Sequence, residues 1–82
     1  MSHSEYHYLG KFEDWHFYLV YQTLAFESGQ WFICRMDTEE FEWIYSRCMR
    51  YSKMPFYTGN DPKVNKAYLQ VYQVVQKVLI LI

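Results

Sequence analysis

Trp-His-Phe-Tyr-Leu-Val-Tyr-Gln-Thr-Leu-Ala-Phe (residues 15–26), Glu-Ser-Gly (27–29) and Gln-Trp-Phe-Ile-Cys-Arg-Met (30–36) form the stretch whose reading decides the fold. Its two flanks are dense in aromatic and β-branched residues, and a short polar break ending in Gly29 separates them. That is the pattern of a β-hairpin. A two-residue loop (Ser28, Gly29) and a four-residue loop (Glu27 to Gln30) both set Phe26 opposite Trp31, Leu24 opposite Ile33 and Gln22 opposite Arg35. Opposed residues share a face, so Tyr18, Val20, Leu24, Phe26, Trp31 and Ile33 are expected on one side. Phe17, Leu19, Tyr21, Phe32, Cys34 and Met36 are expected on the other. A competing reading makes residues 12–28 a helix, with Phe12, Trp15, Leu19, Thr23 and Phe26 on one side and Gly29 just past its end.

Upstream, Tyr6-His7-Tyr8-Leu9 suits a third strand that turns through Gly10 to Asp14. Downstream, Asp37-Thr38-Glu39-Glu40 has the spacing of a capping box, with Asp37 as N-cap and Glu40 three residues on. Acids at Glu39, Glu40 and Glu42 followed by Arg47, Arg50 and Lys53 complement a helix dipole at both ends. Phe41, Ile44, Cys48 and Tyr51 recur at helical spacing as a core stripe. Residues 54–60 read as a loop, because Pro55 disfavours helix at Met54 and Gly59-Asn60 suits a turn. Asp61-Pro62 then opens a second helix, with Asp as N-cap and Pro at its first position. Its stripe is Val64, Tyr68, Val71, Val75, Val78 and Ile82, although residues 74–82 are apolar enough to suit a strand. The expected fold is α+β, a single domain over residues 1–82. It has an antiparallel hairpin or three-stranded sheet at about 5–36, and two helices, about 38–53 and 62–80, packed on one face.

The chain has 82 residues, half of them apolar and 22% aromatic, which is enough apolar material to exclude intrinsic disorder. The net charge of −1 conceals a strong asymmetry: residues 1–42 sum to −6 and residues 43–82 to +5. Such sorting points to interaction surfaces. The longest apolar run, near the C-terminus, is broken by Lys77 and three glutamines and falls short of the roughly 18 residues of a membrane span. With no signal-like leader and two cysteines too few for a disulfide framework, a cytoplasmic protein with free thiols is expected.

Little here suits catalysis. His3, His7, His16, Cys34 and Cys48 include no pair at zinc-site spacing. An amino terminus with His3 could chelate copper or nickel, but loss of Met1 would remove that geometry. Cys34 and Cys48 fall on core-facing positions, where cysteine is inert. Glu13, Asp14, Glu39 and Glu40 sit in turns or caps where acids are ordinary, and no glycine-rich phosphate loop occurs. The expectation is a non-enzyme with no cofactor and no metal.

Binding remains. Trp43, Arg47 and Arg50 would share the outward face of the first helix, with Tyr57 alongside, as a partner-binding surface. The same cations with Lys63 and Lys66, interleaved with aromatic rings, would also suit single-stranded nucleic acid, where bases stack on rings and Lys or Arg follow phosphates. A protein partner is the stronger expectation, because the hairpin has apolar side chains on both faces and two helices cover only one. Self-association through Val20, Leu24, Trp31 and Ile33 on the open sheet face, or through Leu79 and Leu81, is expected to give a homodimer. Small aromatic-rich proteins without catalytic motifs are common among phage and mobile-element products that inhibit a host enzyme or defence system. This chain is of that type.

Overall fold

The computed structural model describes residues 3–23, 29–57 and 59–81. Four strands, β1 (His3–Phe12), β2 (Trp15–Thr23), β3 (Gln30–Met36) and β4 (Cys48–Arg50), form one antiparallel sheet in sequence order. Two short 3₁₀ turns, Tyr45–Arg47 and Tyr51–Phe56, bracket β4, and one long helix, α1 (Pro62–Leu81), follows. The expected two- or three-stranded sheet with two helices is therefore corrected to four strands and one α-helix among the described residues. The competing helix over residues 12–28 is absent from its described part, which is strand.

β1 is longer than expected. Instead of turning at Gly10 it absorbs Leu9 as a bulge between the pairs Tyr8↔Tyr18 and Gly10↔Phe17, and runs on to Phe12. Gly10 makes this local kink possible: its φ of 118° lies where side chains are rarely tolerated. The turn to β2 is then only Glu13 and Asp14, with Glu13 at a φ of 55°.

The β2–β3 pairing differs from expectation in a way that matters. Tyr21, not Phe26, faces Trp31, and the last pair is Gln22↔Gln30. The connection is longer than a tight hairpin, and an odd shift in register exchanges the faces of one strand relative to the other. Phe17, Leu19 and Tyr21 thus share the inner face with Trp31, Ile33 and Arg35, while Tyr18 and Val20 share the outer face with Phe32, Cys34 and Met36. Leu24, Phe26 and the expected turn at Glu27-Ser28 lie outside the described residues.

α1 covers the inner face. Asp61 caps it, its Oδ1 accepting from the N–H groups of Lys63 (2.9 Å) and Val64 (3.4 Å), and Pro62 occupies the first position. Val64, Ala67, Tyr68, Val71 and Val75 lie buried against Phe17, Leu19, Ile33 and Met54. Tyr68 meets Phe17 edge-on at 5.4 Å. The helix persists to Leu81, so the strand alternative for residues 74–82 does not hold over its described part.

The expected helix at 38–53 does not form. Phe41, Trp43, Ile44, Tyr45 and Tyr51 all lose rotamer freedom in a helix, so local preference for it is weak. The capping signals are satisfied otherwise: the Asp37 carboxylate pairs with Arg47 at 2.9 Å, and Thr38 Oγ1 accepts from the Glu40 N–H at 3.3 Å. Residues 37–44 instead run as an irregular strap, bent over 37–40, across the outer face, where Tyr18, Val20, Cys34 and Met36 are buried with Phe41 packed against them. The outer face, expected to lie open, is thereby partly closed. Cys34 and Cys48, opposite each other on β3 and β4, are joined as a disulfide with Cα atoms 4.1 Å apart. This corrects the expectation of two free core thiols.

Candidate interaction face

Two rows of paired residues organise the outer face. Tyr6, Val20, Phe32 and Arg50 form one, and Tyr8, Tyr18, Cys34 and Cys48 the next. The strap lays two rings over them, at positions of equal parity. Phe41 stacks on Tyr6 (4.6 Å between centroids) and leans on Tyr18 (5.3 Å), while Trp43 stands edge-on to Phe32 (5.3 Å). Tyr8 lies 5.2 Å from Tyr18, and its hydroxyl and His16 Nδ1 are hydrogen-bonded at 2.7 Å. The rings remain partly open to solvent: Tyr6 is 56%, Tyr8 48% and Trp43 40% exposed. Tyr6 and Tyr8, carried on a sheet strand, cost little ordering entropy to present to a partner.

The rim of this face is acidic. The Tyr18 hydroxyl donates to the Glu39 carbonyl oxygen. Burial first, then the nearby Tyr8 and the Glu39 charge, push the Tyr18 pKa above the ordinary tyrosine value. Glu39, Glu40 and Glu42 are exposed and form no ion pair among the described residues.

Three of the cations behave differently, whereas Arg50, in the same row as Tyr6 and Phe32, is exposed and forms no ion pair among the described residues. Lys63 pairs with Asp14, Lys66 approaches Glu13 at 3.6 Å, and Arg47 is held by Asp37. Each pair joins an acid from the first half of the chain to a base from the second. Much of the charge sorting visible in the sequence is therefore spent on closing the fold rather than on facing outward. The two lysine contacts tie the start of α1 to the β1–β2 turn.

The four residues read as a partner-binding cluster are divided. Trp43 and Arg50 share the outer face through Phe32, and Arg47 lies beside them but engaged with Asp37. Tyr57 is on the opposite side of the sheet, 4.9 Å from Tyr68. There it lines a cleft of about 400 Å³ with Met54, Asn65, Leu69 and Tyr72. Of the residues read as a dimer interface, Val20 and Ile33 are wholly enclosed within one chain. Trp31 and Leu79 pack against the inner core and Leu81 is exposed. From the sequence Tyr6 and Tyr8 are expected only as strand residues and Phe41 only as core, none of them at a binding surface. The usable signal was the alternation Glu5-Tyr6-His7-Tyr8, polar and aromatic in turn, which marks a strand with one aromatic face.

Comparison with protein families, with characterised proteins and with solved structures finds nothing that matches this chain. Among the described residues, no helix is long and apolar enough to cross a membrane.

Proposed function

We propose that this chain is a non-catalytic protein-binding module whose outer sheet face receives a basic segment of a partner and so modulates it. The observation that carries the reading is the half-exposed trio Tyr6, Tyr8 and Trp43, bordered by Glu39, Glu40 and Glu42, which form no ion pair among the described residues. Aromatic rings contribute contact area at low entropic cost and attract guanidinium or ammonium groups to their faces. The acidic rim adds steering and selects for positive partners.

The alternative, single-stranded nucleic acid, is less favoured. Its rings would be suitable, but the acids beside them repel phosphate, and Lys63 and Lys66 are already engaged. A cytoplasmic location with free thiols was expected. The Cys34–Cys48 link corrects the free thiols, and such links persist where surroundings are oxidising.

The test is an anisotropy titration with a labelled arginine- and lysine-rich peptide and, in parallel, a labelled single-stranded oligonucleotide. The peptide is expected to bind the wild type, to weaken with added salt, and to lose at least about tenfold in affinity in a Tyr6→Ser/Tyr8→Ser variant that stays folded. Peptide affinity unchanged in that variant, or tighter binding of the oligonucleotide, would remove this reading.

A further inference from the structure

The two edges of the sheet are built differently. β4 exposes only three residues, is flanked on both sides by 3₁₀ turns and is tethered to β3 by the disulfide. β1 has ten residues and is paired along one side only. Its other side therefore presents a row of backbone N–H and C=O groups that no strand among the described residues meets. Proteins usually blunt such an edge with proline, with central charges of one sign or with a bulge. β1 contains no proline, and its bulge at Leu9 and its lysine at position 11 lie toward one end. From Ser4 to Tyr8 the strand keeps a regular register with Gln22 to Tyr18.

That regular segment is complementary to itself. An antiparallel pairing centred on Tyr6 sets Ser4 against Tyr8 of the partner subunit and Glu5 against His7 of the partner subunit. Both contacts then occur twice by symmetry. Glu5 and His7 already lie on one face and meet within the chain, at 3.6 Å. A carboxylate and an imidazole thus stand ready in alternating positions along the free edge, and a reversed copy presents the complementary order.

We propose that two copies of this chain join edge to edge through antiparallel pairing of residues 4–8 of β1 about a two-fold axis at Tyr6. The result is one continuous eight-stranded sheet, with the outer faces of both copies on the same side and the two Tyr6 rings flanking the axis. This inference goes beyond the basic-partner reading, since it uses the strand's backbone edge rather than its rings. Its consequence for that reading is a doubled, bivalent face.

Sedimentation equilibrium with charge-swap variants tests it. The wild type is expected to be a dimer. Glu5→Lys sets lysine against imidazole twice, and His7→Glu sets carboxylate against carboxylate twice, so each alone weakens the dimer by about tenfold. The double variant E5K/H7E restores the complementary order and is expected to recover most of the loss. Circular dichroism checks that the exposed substitutions leave the fold intact. A wild type that stays monomeric at millimolar concentration, or a dimer indifferent to all three variants, would overturn the proposal. So would recruitment of β1 by a different protein's strand in place of a second copy. Peptide binding by a monomeric E5K variant separates this failure from failure of the outer-face reading.

Discussion

Cys34 and Cys48 face each other across β3 and β4, and their disulfide fastens the shortest strand of the sheet to the strand it pairs with. Everything from Asp37 to Arg47 lies between these two anchors, so the link closes a ring around the strap that covers the outer face. Removing it frees the strap in the unfolded chain. By loop entropy, Cys34→Ser/Cys48→Ser is expected to cost roughly 3 kcal/mol, since the enclosed ring is near 15 residues. Urea denaturation with and without the link measures this. An unchanged midpoint would mean that β4 and the strap are held by packing alone.

A second expectation concerns Gly10. Its positive φ lets β1 absorb Leu9 and continue to Phe12, and the ring of Phe12 lies within ordinary contact distance of where a Cβ would be. The penalty for Gly10→Ala is therefore conformational rather than steric, of about 1–2 kcal/mol. The urea midpoint should fall, and amide exchange should rise first in residues 9–12.

The pH response has a definite sign at each end. Its hydrogen bond from Arg47 holds the Asp37 carboxyl below the usual carboxylate range. A group lowered in the folded state contributes stability above its unfolded pKa of about 4, which is lost as pH falls through the folded value. Asp37→Asn should flatten that acid limb.

At the alkaline end, the hydrogen bond to Asp14 raises Lys63, and burial, only partly opposed by Arg35, raises Tyr68. Groups raised in the folded state contribute stability that is complete below their unfolded pKa values, near 10, and is lost as pH climbs through the folded ones. Tyr68→Phe should flatten the alkaline limb of midpoint against pH. The part of the tyrosinate absorbance that Tyr68→Phe removes should rise together with unfolding.

How much of this was legible in the chain depended on the range of the signal. α1 was readable because Asp61, Pro62 and the stripe from Val64 to Val75 act within a few residues of one another. The strand character of residues 15–23 and 30–36 was equally local. Their register was not, because it depends on a connection longer than the tight loop that Ser28-Gly29 suggests, and parity then decides which residues face α1. The segment after Met36 misled for a different reason. Its caps and charges fit a helix, but Arg47 captured Asp37 and the outer face offered Phe41 a stack on Tyr6. Both partners are distant in sequence or set by the sheet, as is the Cys34–Cys48 pairing. The candidate site was half legible: Trp43 and Arg50 belong to it geometrically, whereas Tyr6 and Tyr8 joined only once the sheet was assembled.

The central claim is that the outer face of the sheet is where a partner lands. The most direct measurement is a map of chemical-shift changes over backbone amides and aromatic side chains during titration with the basic peptide. The account predicts that the changes concentrate on Tyr6, Tyr8, Phe41, Trp43 and the amides of residues 39–42, with α1 silent. Changes gathered instead around Tyr57, Leu69 and Tyr72, in the cleft beside α1, would contradict it.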